Sequence, residues 1–386
     1  MLDKYTVKFV LKEPYAWLLD ILASPAGSWI VPREAVEAHG DLKKQESCIG
    51  TGPFVLERWD PNKQSILKRN PDYYMSGRPY LDEVHWIVFE DLSTRTAAYR
   101  TGQLDFGPEW ITAIRQEDYP SFKQSNPDYT YLEYHSNVFA YFYMRTDQPP
   151  YNDVRVRRAI SMAMDRQGML AALNEGRGVL TAHVPAFLVD WSLPVDQLGE
   201  AARYWEYNPK EARKLLAQAG YPNGFETPLH TTFAYGSVWK DFVQMAAEFL
   251  KQVGIRATIQ AKEYGAYISS TFLGKYDMLA LGLQTPYTEP DNYLYGPYYP
   301  GHFKNQSYVN DPKLAQLLDA QRRTLDVEKR RQLIYDIQRY LAEQMYYVPF
   351  YTGFTVGSWQ PHVKNYMVNT SYDFGSRLIE VWFDKA

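Results

Sequence analysis

Apolar and polar residues alternate over 6–11 (TVKFVL), and the same period-two pattern returns over 54–59, 65–68 and 83–89. Each run predicts a β-strand. GTGPF over 50–54 leads into one of them, and Asp60-Pro61-Asn62 turns the chain back. Val31-Pro32 opens a helix through His39 that Gly40 stops, and Asp91 or Ser93 caps another that runs to Arg100. A short strand over 103–106 follows. Residues 129–144 are dense in aromatic and β-branched residues and predict one or two strands.

The period then becomes helical. Val156, Ile160, Ala163 and Met164 share one face behind a cap at Asn152 or Asp153. Asn208 as N-cap, Pro209 as first helical residue, Glu211 at the capping-box position and Gly220 as a stop predict a further helix. Over 238–253 the face is Phe242, Met245, Phe249 and Leu250, closed by Gly254. Residues 255–259 alternate as a strand, and 278–283 form an apolar run that predicts a buried one. Residues 284–300 are rich in Tyr, Pro and Gly and predict a long functional loop. Helices begin at Asp311-Pro312 and at Asp326, and strands over 346–351 and 354–358 follow. This alternation of strands and helices is that of an α/β protein.

Composition narrows the functional classes. A length of 386 residues suggests two or three domains. A net charge of −4 argues against binding nucleic acid through a basic face. No apolar run reaches the ~18 residues of a membrane span, and the first residues lack the order of a secretion signal. One cysteine, Cys48, excludes an intrachain disulfide and a zinc–thiolate cluster, and reads as structural filler. Aromatic residues reach 16%, with 33 tyrosines, a composition suited to wet binding surfaces.

Enzyme signatures are missing: the chain has no P-loop, GxGxxG, GxSxG or HExxH. His39, His85, His135, His183, His230, His302 and His362 are scattered without metal-ligand spacing, so neither metal nor cofactor is expected. Glu289 and Asp291 are the one acid pair that invites comparison with a glycoside hydrolase, which needs two carboxylates. Arg155, Arg157 and Arg158 read as the solvated face of a helix.

Several ordered stretches resemble one family. They are GTGPF at 50–54 with Trp59 and Pro61, LKRNPDYY at 67–74, RPYLDEV at 78–84 and DLSTRTAAYRTGQLD at 91–105. PPYNDVRVRRAISMAMDR at 149–166, YNPKEARKLLAQAGYPNGF at 207–225 and KQVGI at 251–255 continue the series. Together they resemble the family 5 extracytoplasmic solute-binding proteins of ABC importers, the oligopeptide, dipeptide, nickel and oligosaccharide type. The resemblance implies a two-lobe periplasmic-binding-protein-like fold of class II type, with the ligand held in a cleft between hinged lobes. It also implies an N-terminal truncation that leaves the first lobe incomplete. On this mapping 1–46 is a remnant of a small extra subdomain, 47–126 is part of lobe I, 127–360 is lobe II, and 361–386 returns to lobe I.

The same resemblance sets the expected partners: a small-molecule ligand and the membrane subunits of an ABC transporter, outside the cytoplasm in a periplasmic or membrane-anchored setting. Strand edges left open at 6–11 and 54–59 suggest self-association. Peptide binders of the family anchor the ligand's amino group with an aspartate. Here that position aligns with Pro286, and Asp291 lies five residues on as a substitute. A neutral oligosaccharide is therefore the expected ligand, with an oligopeptide as the alternative. Stacking falls to Trp110, Tyr141, Tyr143, Tyr235, Trp239, Tyr287 and Tyr293, and polar contacts to Arg145, Gln284, Asp291 and Asn292.

Overall fold

The computed structural model describes residues 3–23, 30–40, 42–89, 91–106, 114, 118–368 and 376–384. The chain divides into two units: Met1–Asp20 with His135–Phe354, and Ile21–Tyr134 with Thr355–Ala386.

Among the described residues of the first unit, five strands form one mixed sheet. Their order is Tyr347–Pro349, Ala140–Met144, Leu279–Leu283, Phe225–Thr232 and Ile255–Lys262. The first two pairings are antiparallel and the last two parallel. The Ser237–Gln252 helix makes the crossover between the two outer parallel strands, and Gly254, at φ 95°, turns the chain from that helix into the next strand. Strand side chains alternate between two faces. One face supplies Phe142, Met144, Leu229, Leu279, Leu281 and Val348 to an apolar core. Val156 and Ile160 of Val154–Ala163, Leu216 of Pro209–Gln218, and Phe242 and Leu250 of Ser237–Gln252 pack on it. Each such side chain contributes about 1.5–3 kcal/mol when buried.

The other face of the sheet is aromatic and polar. It carries Tyr347, Tyr141, Tyr143 and His230, and all four are buried. The hydroxyls find partners in the chain that covers them. Tyr141 donates to Gln306 Oε1 at 2.7 Å, Tyr276 to the Gln306 carbonyl at 2.8 Å, and Tyr347 to the Pro297 carbonyl at 3.0 Å. Buried phenols need such acceptors.

In the second unit, Phe54–Asp60, Gln64–Arg69 and Glu83–Ile87 form an antiparallel meander. The Leu92–Arg100 helix is capped by Asp91, whose Oδ1 accepts from Thr94 N at 2.7 Å. Tyr99 stacks on Phe122 with centroids 5.2 Å apart, and Val356 joins that cluster.

Several expectations change. Residues 6–11 form no strand: they are exposed, and among the described residues their backbone enters no ladder. Alternation alone makes no strand without a sheet to join, so 6–11 gives no ground for self-association; Phe54–Asp60 is a strand, paired among the described residues only with Gln64–Arg69. The strand expected over 103–106 shrinks to one bridge between Phe106 and Trp359. The presumed loop over 284–300 contains the Asp291–Tyr298 helix, which Gly296 and Pro297 had disguised. Cys48 is exposed rather than packed as filler. Arg157 is buried, donating to the carbonyls of Gln344, Tyr151 and Asn152, and Arg158 donates to Glu343 O. These two arginines close the carboxyl end of the Val327–Gln344 helix, where free carbonyls attract cations.

Candidate functional site

A shallow recess, with about 10 Å³ that a water-sized group can reach, lies over the aromatic face of the first unit. Sheet residues Tyr141, Tyr347 and Pro349 form its floor, with Phe139 and Gln284 at the strand ends. Tyr293, Pro297 and Tyr298 of the Asp291–Tyr298 helix form one wall, and His183 completes it. Gln284 is held by its backbone, which donates to Phe139 O at 2.9 Å just beyond the ladder of Ala140–Met144 and Leu279–Leu283.

The polar tips of the walls are committed to hydrogen bonds. Tyr293 donates from its hydroxyl to Asn137 O at 2.8 Å and accepts from Tyr287 N at 2.8 Å. The Tyr298 hydroxyl meets His183 Nδ1 at 2.8 Å. Burial pushes the phenols of Tyr141, Tyr298 and Tyr347 well above their ordinary range, so they remain neutral. Burial also pulls His183 down to about 3, against a weak opposing pull from the Leu341 carbonyl, so its ring is neutral. Among the described residues no charged side chain lines the recess. The Gln284 carboxamide, 8% exposed, has no partner among those residues. The site can therefore present a neutral group with aromatic side chains and, from one amide, a donor and an acceptor.

Of the residues expected from sequence, Tyr141, Gln284 and Tyr293 meet at this recess. Tyr287 packs edge-on against Tyr293 from behind, centroids 5.7 Å apart, and its hydroxyl accepts from Lys304. Asn292 lies on the same helix as Tyr293 but does not line the recess. Tyr143 lies deeper on the sheet, its hydroxyl 2.9 Å from that of Tyr267. Trp239 sits in the core, stacked on Phe242 at 5.3 Å, with Nε1 donating to Thr232 O at 2.7 Å; Tyr235 meets its edge. Arg145 forks onto Asp147 at 2.7 and 2.8 Å and lies over the Tyr308 ring. Trp110 lies outside the described residues.

The acid pair is committed elsewhere. Glu289 pairs with Arg330, and Asp291, 1% exposed, pairs with Arg322 at 3.3 Å and accepts from Gln321. Burial raises both carboxyls, Asp291 to about 6, while the arginines oppose the shift. With each carboxylate held by a guanidinium, neither the hydrolytic role nor the substitute ammonium anchor finds a free group. Sequence reasoning did not single out Phe139, His183, Pro297, Tyr298, Tyr347 and Pro349, which also line the recess. For Tyr347 and Pro349 a signal existed, since strand alternation places them on one face. His183 had no local signature.

The model of the bacterial extracellular solute-binding proteins, family 5 Middle, matches residues 1–305. The chain is 31% identical over 267 residues to the glutathione-binding protein GsiB of Salmonella paratyphi A, covering 69% of this chain and 49% of that one. GsiB of Escherichia coli O157:H7 gives 31% over 265 residues, with 68% and 49% covered. The chain thus spans about half the length of these curated relatives. Among solved structures, the periplasmic binding protein DppA of Helicobacter pylori, in complex with peptide STSA, superposes with a TM-score of 0.82 at 25% identity, covering 100% of this chain and 73% of that one. AgaA of A. tumefaciens R10, in complex with agropinic acid, gives 0.80 at 24% identity, with 97% and 75% covered, a likeness of fold.

Proposed function

Because the chain belongs to the family 5 bacterial extracellular solute-binding proteins, we propose that it captures a small solute for the membrane subunits of an ABC importer. Proteins of this family are transport components, not enzymes. No described helix is long and apolar enough to cross a membrane, and an extracytoplasmic position fits the family.

The solute is a short peptide or a peptide derivative, with one uncharged part set against the recess. The observation that carries this reading is the uncommitted Gln284 carboxamide among neutral aromatic walls. A peptide bond presents the complementary donor and acceptor. The named ligands of the relatives, glutathione and the peptide STSA, support the same class. The space in the recess that a water-sized group can reach is about 10 Å³, far below the ~300–1,000 Å³ of a whole ligand pocket, so it offers the solute a contact patch rather than an enclosing pocket. The expected preference for a neutral oligosaccharide is the second reading, favoured by aromatic walls without a charged group, on which a sugar ring stacks.

The test is calorimetry of the full chain against glutathione, di- and tripeptides and neutral oligosaccharides. Saturable heat from a peptide-class solute is expected. Heat from sugars alone would replace the first reading by the second, and silence across the panel would overturn both.

A further inference from the structure

At the far edge of the sheet from the recess, the aromatic face ends in a group of donors that is short of acceptors. The register sets Tyr347, Tyr143, Ala280, His230 and Gln260 in one row across the five strands. Lys262 pairs with Thr232 two residues further on, so it shares a face with His230. Its ammonium donates to Ser270 Oγ and Thr271 Oγ1, both at 3.0 Å, which leaves one hydrogen over. Ser270 passes its own hydrogen to Ala266 O. The fully buried Thr271 hydroxyl has no acceptor among the described residues, and Lys262 has no carboxylate partner there. His230 is 6% exposed, and neither of its ring nitrogens has a partner.

Native folds rarely leave buried donors without an acceptor. Two here have none, the Thr271 hydroxyl and the one N–H of a neutral His230, and beside them the half-buried Lys262 ammonium keeps one hydrogen and its whole charge unmatched. Burial and the nearby Lys262 charge both hold His230 below its ordinary pKa, with Asp277 the opposing charge. The ring is therefore a neutral donor at pH 7. Position adds a second argument. Lys262 and Thr232 are the last residues of two parallel strands, and Gln284 directly follows a third. Open α/β sheets bind ligands outside the carboxyl ends of such strands.

We propose that Lys262, Thr271 and His230 form a site for a small oxyanion, a carboxylate or a phosphate. The anion supplies the missing acceptor and the missing counter-charge together. It arrives either as a free ion or as the carboxylate of the solute, and the second source rests on the solute-capture reading above.

The test is thermal unfolding of the full chain at constant ionic strength, with chloride replaced by about 20 mM acetate or phosphate, for the wild type, Lys262→Gln and Lys262→Arg. The wild type and Lys262→Arg are expected to gain about 2–4 °C more than Lys262→Gln. Equal gains in all three overturn the site. A second arm titrates one tripeptide with a free and with an amidated carboxyl end. Amidation that weakens wild-type binding about tenfold or more, with no such effect in Lys262→Gln, assigns the anion to the solute. A Lys262-dependent acetate response without an amidation effect assigns it to a free ion. A response to acetate in a chain that binds no peptide overturns the solute-capture reading while upholding the oxyanion site.

Discussion

The hydroxyls of Tyr143 and Tyr267 meet at 2.9 Å over the bare α-carbon of Gly282. A Cβ at Gly282 would lie 2.9 Å from the Tyr143 hydroxyl and overlap that of Tyr267. Both tyrosines are fully buried, so neither has room to retreat. Gly282→Ala should therefore destabilise the chain by about 1–3 kcal/mol, the usual cost of overpacking. Tyr267→Phe removes the overlapping oxygen, so in the double variant the two effects should fall short of their sum. Urea unfolding of the four species measures this, and strict additivity would mean that Gly282 is not under that contact.

The Pro209–Gln218 helix depends on its cap. Asn208 Oδ1 accepts from Glu211 N at 3.0 Å. Asn208→Ala should lower stability by about 1 kcal/mol and Asn208→Asp by much less. Two indistinguishable unfolding midpoints would rule the cap out as a stabilising contact.

His183 gives the pH dependence a sign. Its folded pKa, about 3, lies below the ordinary 6.5 because the ring is buried. Below pH 6.5 the unfolded chain binds a proton that the folded chain refuses. Stability should therefore fall as pH drops from 6.5 toward 3, by up to about 1.4 kcal/mol per pH unit from this group. His183→Gln should lose that part of the slope. Stability profiles of the two proteins that stay parallel from pH 7 to 5 would contradict the neutral, buried ring.

The Arg330–Glu289 pair is an internal tie. Both partners are buried, and Arg330 also donates to Gln321 at 3.1 Å. Removing one partner strands the other charge, so Arg330→Met should cost about 3–5 kcal/mol, while Arg330→Met with Glu289→Leu should recover much of it. A double variant no more stable than Arg330→Met alone would show that packing, not charge, is what the pair supplies.

Much of the fold was legible because its signals were local. Asn208, Pro209 and Gly220 mark both ends of one helix, and Asp311-Pro312 starts another, with Asp311 Oδ1 accepting from Leu314 N at 3.1 Å. The Phe225–Thr232 strand escaped notice because it is covered on both faces by different chemistry. Leu229 enters the apolar core, while His230 and Thr232 join the polar side, so no alternation of apolar and polar residues appears. The Asp291–Tyr298 helix escaped because contacts from outside it, such as Tyr293 to Asn137, outweigh its Gly296 and Pro297. At the site, Tyr141, Gln284 and Tyr293 were readable as aromatic or amide residues near a loop. His183 and Tyr347 were not, since they reach the recess only through long-range pairing.

The central claim is that the solute's uncharged part sits on the Gln284 amide. Its most direct test is calorimetric titration of one tripeptide, at pH 7.5, into the full chain and into Gln284→Leu. Loss of hydrogen bonds to a buried amide, about 1–3 kcal/mol, predicts affinity weakened by at least about tenfold. Equal affinity in the two proteins would contradict the account.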